Sequence, residues 1–339
     1  MNEAQARIIG RRTFLTQASA LGAAAYAGWS GPLAAEPPLE VKKVRLVKTP
    51  AICLAPEYVA EELLRLEGFT EVEYVEREEN DAYPMLKKDL ADFTVATAPD
   101  LLPALDEGYA ITALAAIHGG CYELFGNERV RSIRDLRGKR FAISSKRAVE
   151  YYYVASMLAY LGVDPRKDVE WVDAKTFDGT MQDFIDGKAD AFLGFPPQPQ
   201  RLRTKSIGHV IVNTSQDRPW SQYFCCMTAG RSQFVKAYPV ATKRVVRAIL
   251  KATDICAREP EKAARLIVAK GYESEYDIAL NVLKSLSYTR WRIDNVDDSL
   301  RFFGVRLHEV GMIKSDPNKL IAQGTDWRFL NELKRELKA

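Results

Sequence analysis

Ala189-Asp190-Ala191-Phe192-Leu193 repeats, late in the chain, the pattern of Ala91-Asp92-Phe93-Thr94-Val95. A bulky apolar residue (Phe184, Leu86) precedes each copy, and a proline (Pro197, Pro99) follows each at the same distance. A short alternating apolar run after an aspartate reads as a buried strand. The same unit occurring twice predicts two similar halves.

The duplication extends upstream. Val44-Arg45-Leu46-Val47-Lys48 reads as a strand, followed by a loop over Thr49 to Leu54 and a helix opening at Pro56. Proline suits the first turn of a helix, and Gly68 supplies a C-terminal cap. Glu71 to Val75 alternates as the next strand. Arg140-Phe141-Ala142-Ile143 repeats the first strand, Ser144-Ser145-Lys146-Arg147 the loop, and a helix ending at Gly162 the helix. Val169 to Val172 repeats the second strand. Tyr58-Val59-Ala60 and Tyr153-Val154-Ala155 sit at nearly equal distances from those two glycines.

A helix and a strand close each half: Leu101 to Glu107 with Ile111 to Ala116, and Gln200 to Lys205 with His209 to Val212. Alternating strands and helices predict an α/β fold with two similar βα lobes, each a sheet covered by helices. The first lobe is expected over residues 41–117 plus 221–339, and the second over 122–217. The crossovers are expected at 117–122 and 215–223, with Gly119-Gly120 giving the first one backbone freedom. Helical spacing through Val245, Ile249, Ala252 and Cys256, and again at Ala264, Ile267 and Val268, makes the remainder mostly helical. Asn295 to Val310 and Trp327 to Leu337 read as later helices. These extra C-terminal helices are expected to wrap the first lobe.

Residues 1–35 read as an address. Arg11-Arg12-Thr13-Phe14-Leu15 leads into an Ala/Gly-rich apolar run ending near Ala34-Ala35, the pattern of a cleaved twin-arginine export signal. The run falls short of the ~20 strongly apolar residues a spanning helix needs. Its removal leaves 45 basic and 44 acidic side chains, a net charge of +1. Such a balance carries no electrostatic footprint for nucleic acid. The expected location is periplasmic, and the twin-arginine translocase is the expected export partner.

The five cysteines (Cys53, Cys121, Cys225, Cys226 and Cys256) form no CxxC pair, and an odd number leaves no complete internal disulfide set. They read as buried structural thiols. Cys225 and Cys226 are neighbours in a strand, where successive side chains are expected on opposite faces. His118, His209 and His308 lie far apart and offer no metal-ligand spacing, so no metal and no cofactor is expected. No HExxH, phosphate loop, nucleophile elbow or dinucleotide fingerprint occurs, so an enzyme is not expected.

Val130 to Ile143, with Asp135-Leu136-Arg137-Gly138-Lys139 before the Arg140 strand, and Asp178 to Gly194, with Gly187-Lys188-Ala189-Asp190-Ala191, resemble the periplasmic solute-binding proteins of ABC importers. The similarity is to the group for sulfonates, taurine, nitrate and thiamine-pyrimidine precursors, over roughly residues 42–310. The resemblance implies a two-lobed periplasmic-binding-protein fold of type II. It implies capture of a small molecule in the inter-lobe cleft, and delivery by a monomer to an inner-membrane ABC permease and its ATPase. The first loop, Thr49-Pro50-Ala51-Ile52-Cys53-Leu54, departs from the family's small polar run with an aromatic. Two other roles stay open: a pyrimidine-precursor binding or synthesis protein, and a subunit presenting ligand to a membrane sensor.

Open α/β sheets bind ligands outside the strand ends, where helix N-termini favour anions. The expected contacts are therefore Thr49 and Ile52, Thr97 and Ala98, and Ser144, Ser145, Lys146 and Arg147. The two serines could equally cap the following helix, and the cations could equally be a solvated pair. Aromatic contacts are expected from Phe195, Trp220 and Tyr223, with His118 near the first crossover. A sulfonate or taurine-like anion leads, and a flat heteroaromatic ring is the alternative.

Overall fold

The computed structural model describes residues 36–49, 51–77 and 82–338. The export signal expected over residues 1–35, and Pro50 of the first loop, lie outside the described residues.

The first half contains β1 (Lys43–Lys48), α1 (Ala55–Leu66), β2 (Glu71–Glu76), α2 (Tyr83–Lys87), β3 (Phe93–Thr97), α3 (Ala98–Asp106) and β4 (Ile111–Gly119). The second half contains β5 (Glu123–Gly126), β6 (Arg140–Ile143), α4 (Val149–Tyr160), β7 (Glu170–Asp173), α5 (Phe177–Ile185), β8 (Ala191–Gly194), α6 (Gln198–Thr204) and β9 (His209–Asn213). The chain returns through β10 (Phe224–Arg231) and finishes in α7 (Ser232–Ala237), α8 (Pro239–Arg258), α9 (Pro260–Ala269), α10 (Tyr276–Ser285), α11 (Val296–Glu309), α12 (Pro317–Gly324) and α13 (Arg328–Glu336).

These strands form two five-stranded sheets, in the orders β2-β1-β3-β10-β4 and β7-β6-β8-β5-β9. Each sheet takes one antiparallel strand directly after a crossover. β10 lies between β3 and β4, and β5 lies between β8 and β9. The remaining ladders, β1 with β2 and β3 and β6 with β7 and β8, are parallel. The expected α/β fold of two similar lobes is therefore the observed one.

The repeated aspartates explain why the strands start where they do. Asp92 accepts from the backbone N–H of Arg45 at 3.0 Å and from its guanidinium at 2.7 and 3.1 Å. Asp190 makes the same set with Arg140, at 3.1 Å from the N–H and 3.1 and 3.2 Å from the guanidinium. Each aspartate thus ties the strand it precedes to the strand that opens its copy of the repeat, β1 or β6. Gly68 and Gly162 end α1 and α4 with φ of +104° and +72°, left-handed values that a side chain rarely takes.

Three expectations need correction. Gly119 and Gly120 do not have positive φ. Gly120 is required for space, because a Cβ there would stand 2.1 Å from the carbonyl oxygen of Thr214. Thr214 in turn accepts from and donates to the backbone of Tyr122, at 2.9 and 2.8 Å, pinning one crossover to the other. The C-terminal helices do not wrap only the first half, since α11 packs against α4. Phe303 meets Tyr153 edge-on at 5.1 Å between ring centres. Cys225 and Cys226 do not diverge. The β10–β4 register shifts between Phe224 and Met227, and their sulfurs lie 3.7 Å apart.

Candidate functional site

The loops at the strand ends of both halves line an open-mouthed cavity. The first half contributes Thr49 after β1, Arg77 after β2, Tyr83 of α2, and Thr97 and Asp100 where β3 meets α3. The second half faces them with Tyr122, Arg147, Phe177 and Phe195. Cys53 and Cys226 also line it. A wider outer hollow shares Thr49, Arg77, Phe177 and Phe195, and adds Ile52, Arg201 and Glu273.

Local bonding fixes these side chains. The Asp100 carboxylate accepts from the Thr97 N–H at 3.0 Å, the Thr97 hydroxyl at 2.8 Å and the Tyr83 hydroxyl at 2.7 Å. Those three donors satisfy one carboxylate oxygen and hold Tyr83 at the wall. Phe195 meets Phe177 edge-on at 5.2 Å and lies 6.0 Å from Tyr122. The Arg77 guanidinium sits 5.2 Å from the centre of the Phe177 ring, reaching from one half to the other. The lining carries two guanidiniums against the one Asp100 carboxylate, a balance of charge that suits an anion.

Of the residues expected from sequence, Thr49, Thr97, Arg147 and Phe195 line this cavity, and Ile52 lines the outer hollow. Ala98 is fully buried in the first turn of α3. Ser144 and Ser145 do not cap α4, whose cap position is Ala148 with no side-chain bond. Ser144 instead donates from its hydroxyl and, at 2.5 Å, from its N–H to the buried Glu150 carboxylate. Burial pushes the Glu150 carboxyl up, and these bonds oppose the shift. Lys146 is exposed, whereas Arg147 donates to the Tyr109 hydroxyl at 2.7 Å and pairs with Glu107 at 2.8 Å in the first half.

The other expected aromatics lie elsewhere. Trp220 is buried against Tyr160 and Phe302, and Tyr223 stacks on Phe302 at 3.9 Å. Both belong to the packing of the return crossover against α11. His118 is fully buried at the end of β4, with its Nδ1 2.6 Å from the Gly119 carbonyl.

Sequence reasoning missed Arg77, Tyr83, Asp100, Phe177 and the two lining cysteines. Arg77 and Phe177 follow β2 and β7, the second strand of each copy of the repeat. Had the strand-end rule been applied to those strands as well as the first and third, it would have found them. Cys53 and Cys226 carried no motif. Three separate segments bring them together with His118 and Cys121 in a buried cluster.

A family model described as NMT1/THI5 like matches residues 55–263, more than half of the chain. The chain belongs to the NMT1/THI5-like family. A bicarbonate-binding protein, CmpA, from Synechococcus elongatus is 23% identical over 138 residues, 41% of this chain. The match spans 29% of that relative's length. Among solved structures, the alkanesulfonate-binding protein SsuA from Xanthomonas axonopodis, bound to MOPS, is 14% identical at a TM-score of 0.72. It covers 86% of this chain and 100% of its own. The periplasmic nitrate-binding protein NrtA from Synechocystis is likewise 14% identical, at a TM-score of 0.73, covering 89% and 90%. At these identities the likeness to the two structures is one of fold.

Proposed function

We propose that the chain is the substrate-binding component of an ABC importer, holding a small organic anion between its two halves. The observation that carries this reading is the cavity itself, walled by both halves and furnished with Arg77 and Arg147 beside aromatic rings. A ligand can draw two lobes together only if it touches both better when they are shut. A molecule bridging Arg77 and Thr97 on one side and Arg147 and Phe195 on the other meets that condition. The named relatives bind bicarbonate, alkanesulfonate and nitrate, all anions, which agrees with the two guanidiniums of the lining.

A sulfonate or taurine-like compound is the preferred ligand. Its charged head suits a planar guanidinium, and its short carbon chain suits Tyr83, Phe177 and Phe195. A flat heteroaromatic ring is the second reading, supported by the four aromatic side chains that line the wall. In either case the exported monomer would work in the periplasm and deliver its ligand to a permease and ATPase in the inner membrane. It would carry out no chemistry of its own. A micromolar dissociation constant, about −8 kcal/mol, is sufficient for such capture.

A thermal-shift screen of the chain without residues 1–35 tests the reading, using alkanesulfonates, taurine, nitrate, bicarbonate, short carboxylates and aminopyrimidines. Stabilisation by an anion, growing with its concentration, is expected. A shift given by pyrimidines alone would favour the second reading. No shift from any compound would count against both.

A further inference from the structure

Four of the five cysteines and one histidine meet beneath the cavity. Cys53 comes from the turn after β1, His118 from the end of β4, Cys121 from the first crossover, and Cys225 and Cys226 from the start of β10. All are buried. The ligand atoms of Cys53, His118 and Cys121 lie within 4.8 Å of one another, and so do the sulfurs of Cys121, Cys225 and Cys226. Cys121 and Cys225 are 4.0 Å apart at sulfur, and Cys225 and Cys226 3.7 Å. A tetrahedral ion with metal–sulfur bonds of about 2.3 Å needs sulfurs about 3.8 Å apart.

That spacing is also ordinary contact between packed thiols, so the imidazole decides. Nδ1 of His118 is committed to the Gly119 carbonyl as a donor, which leaves the lone pair on Nε2. Nε2 is buried and has no hydrogen-bond partner among the described residues. An unmet buried acceptor costs about 1–3 kcal/mol, a cost a structural histidine in an apolar wall would avoid. Here the Cys53 and Cys121 sulfurs lie within 4.8 Å of a ring nitrogen. A backbone carbonyl holding one ring nitrogen while the other faces thiols is the arrangement of a metal-ligating histidine. Cys53 and Cys226 also line the cavity, which gives an ion a route in.

We infer that Cys53, His118 and Cys121 bind one soft metal ion, of the Zn(II) or Cu(I) class, through thiolate sulfur and imidazole nitrogen, with Cys226 moving in to close the fourth position. Cys225, beside Cys121 and Cys226, is held in reserve as an alternative sulfur donor. Binding involves no redox step. Each coordinating thiol gives up its proton to solvent as its sulfur bonds the ion, and no bond within the protein breaks. The inference is independent of the transport reading, because it needs no organic ligand. An ion here would join the first crossover and the start of β10 to the β1 loop of the first half.

The test uses the chain without residues 1–35, reduced and kept free of oxygen, and titrated separately with Co(II), Zn(II) and Cu(I). One equivalent per chain is expected, with thiolate-to-cobalt charge-transfer absorption that Zn(II) abolishes by displacement. Tighter retention of Cu(I) than of Zn(II) against competing chelators assigns the ion within the class, and the reverse order assigns zinc. His118→Ala should weaken binding by at least about tenfold. Cys256→Ser, which changes the buried thiol outside the cluster, should leave it unchanged. Because the cluster is central to the fold, X-ray absorption of the zinc-loaded native chain supplies a test without substitution. Mixed sulfur and imidazole scattering is expected there. A folded, reduced chain that retains no ion, or one whose zinc shows only oxygen and nitrogen neighbours, overturns the inference. So does equal loss of binding in Cys256→Ser.

Discussion

The Arg147 guanidinium, from the second half of the chain, donates to the hydroxyl of Tyr109 in the first half at 2.7 Å. It also lies 5.4 Å from the centre of the Tyr109 ring and pairs with Glu107 at 2.8 Å. The ion pair is nearly half exposed on both sides, so its own worth is at most about 1 kcal/mol. Its importance is positional, since the same arginine that spans the halves also lines the cavity.

An incoming anion therefore competes with Glu107 for Arg147. Glu107→Gln should strengthen binding of the most stabilising anion from the screen by a few-fold, about 1 kcal/mol or less. Arg147→Ala should weaken it by at least about tenfold, the cost of a lost charge-assisted bond. Calorimetric titration of both variants measures this. Unchanged affinity in Arg147→Ala would mean that the arginine serves only to join the halves.

Glu57 is fully buried in the first turn of α1, with no hydrogen-bond partner for either carboxylate oxygen among the described residues. Burial, reinforced by Cys226 and Cys53, pushes its carboxyl up to about 8. The folded protein therefore holds a proton that the unfolded chain releases near pH 4.5, and stability should decline as pH rises from there through 8. Glu57→Gln removes that dependence. Urea unfolding should show the variant level with the parent near pH 4.5 and more stable at pH 8 by up to about 4 kcal/mol. Parallel pH profiles for the two proteins would contradict the assignment.

Asp190 behaves oppositely. Burial raises its carboxyl, but the bonds from Arg140 and Asn127 outweigh this and bring it down to about 2. The stabilisation is then complete above about pH 4, the unfolded value, and is lost as pH falls through 2. Asp190→Asn should cost about 2 kcal/mol at pH 7, with the difference closing below pH 3. Denaturant midpoints across that range check both the size and the sign.

Gly120→Ala tests the junction of the crossovers. The added methyl meets the Thr214 carbonyl at 2.1 Å, so the two segments must separate. A loss of about 1–3 kcal/mol is expected. Scattering should show a change in the average opening of the two halves, while Gly119→Ala, whose new Cβ meets the Arg290 side chain at 3.1 Å and the Tyr223 carbonyl oxygen at an ordinary 3.7 Å, is tolerated better.

The fold was legible because its signals are local. Asp92 and Asp190 precede their strands, Gly68 and Gly162 close their helices, and both copies can be read within short windows of sequence. β5 was not legible, since Glu123 to Gly126 is too short to show alternation and pairs only with distant strands. The lining of the candidate cavity was legible where it follows strand ends, at Thr49, Thr97, Arg147 and Phe195. It was not where residues far apart converge. Lys146 and Arg147 are adjacent in sequence, yet only Arg147 turns toward the first half, because its partners Tyr109 and Glu107 lie there. Trp220 and Tyr223 looked like ring-stacking contacts, but Phe302 of α11 takes both. No short-range pattern announces that a helix so late in the chain will pack there.

Calorimetric titration of the chain with alkanesulfonates and taurine, beside the Arg77→Ala/Arg147→Ala double variant, tests the central claim most directly. Saturable binding of one molecule per chain is predicted, with the heat lost when both arginines are removed. Binding that survives in the double variant, or no binding of any anion by a folded chain, would contradict capture of an anion between the two halves.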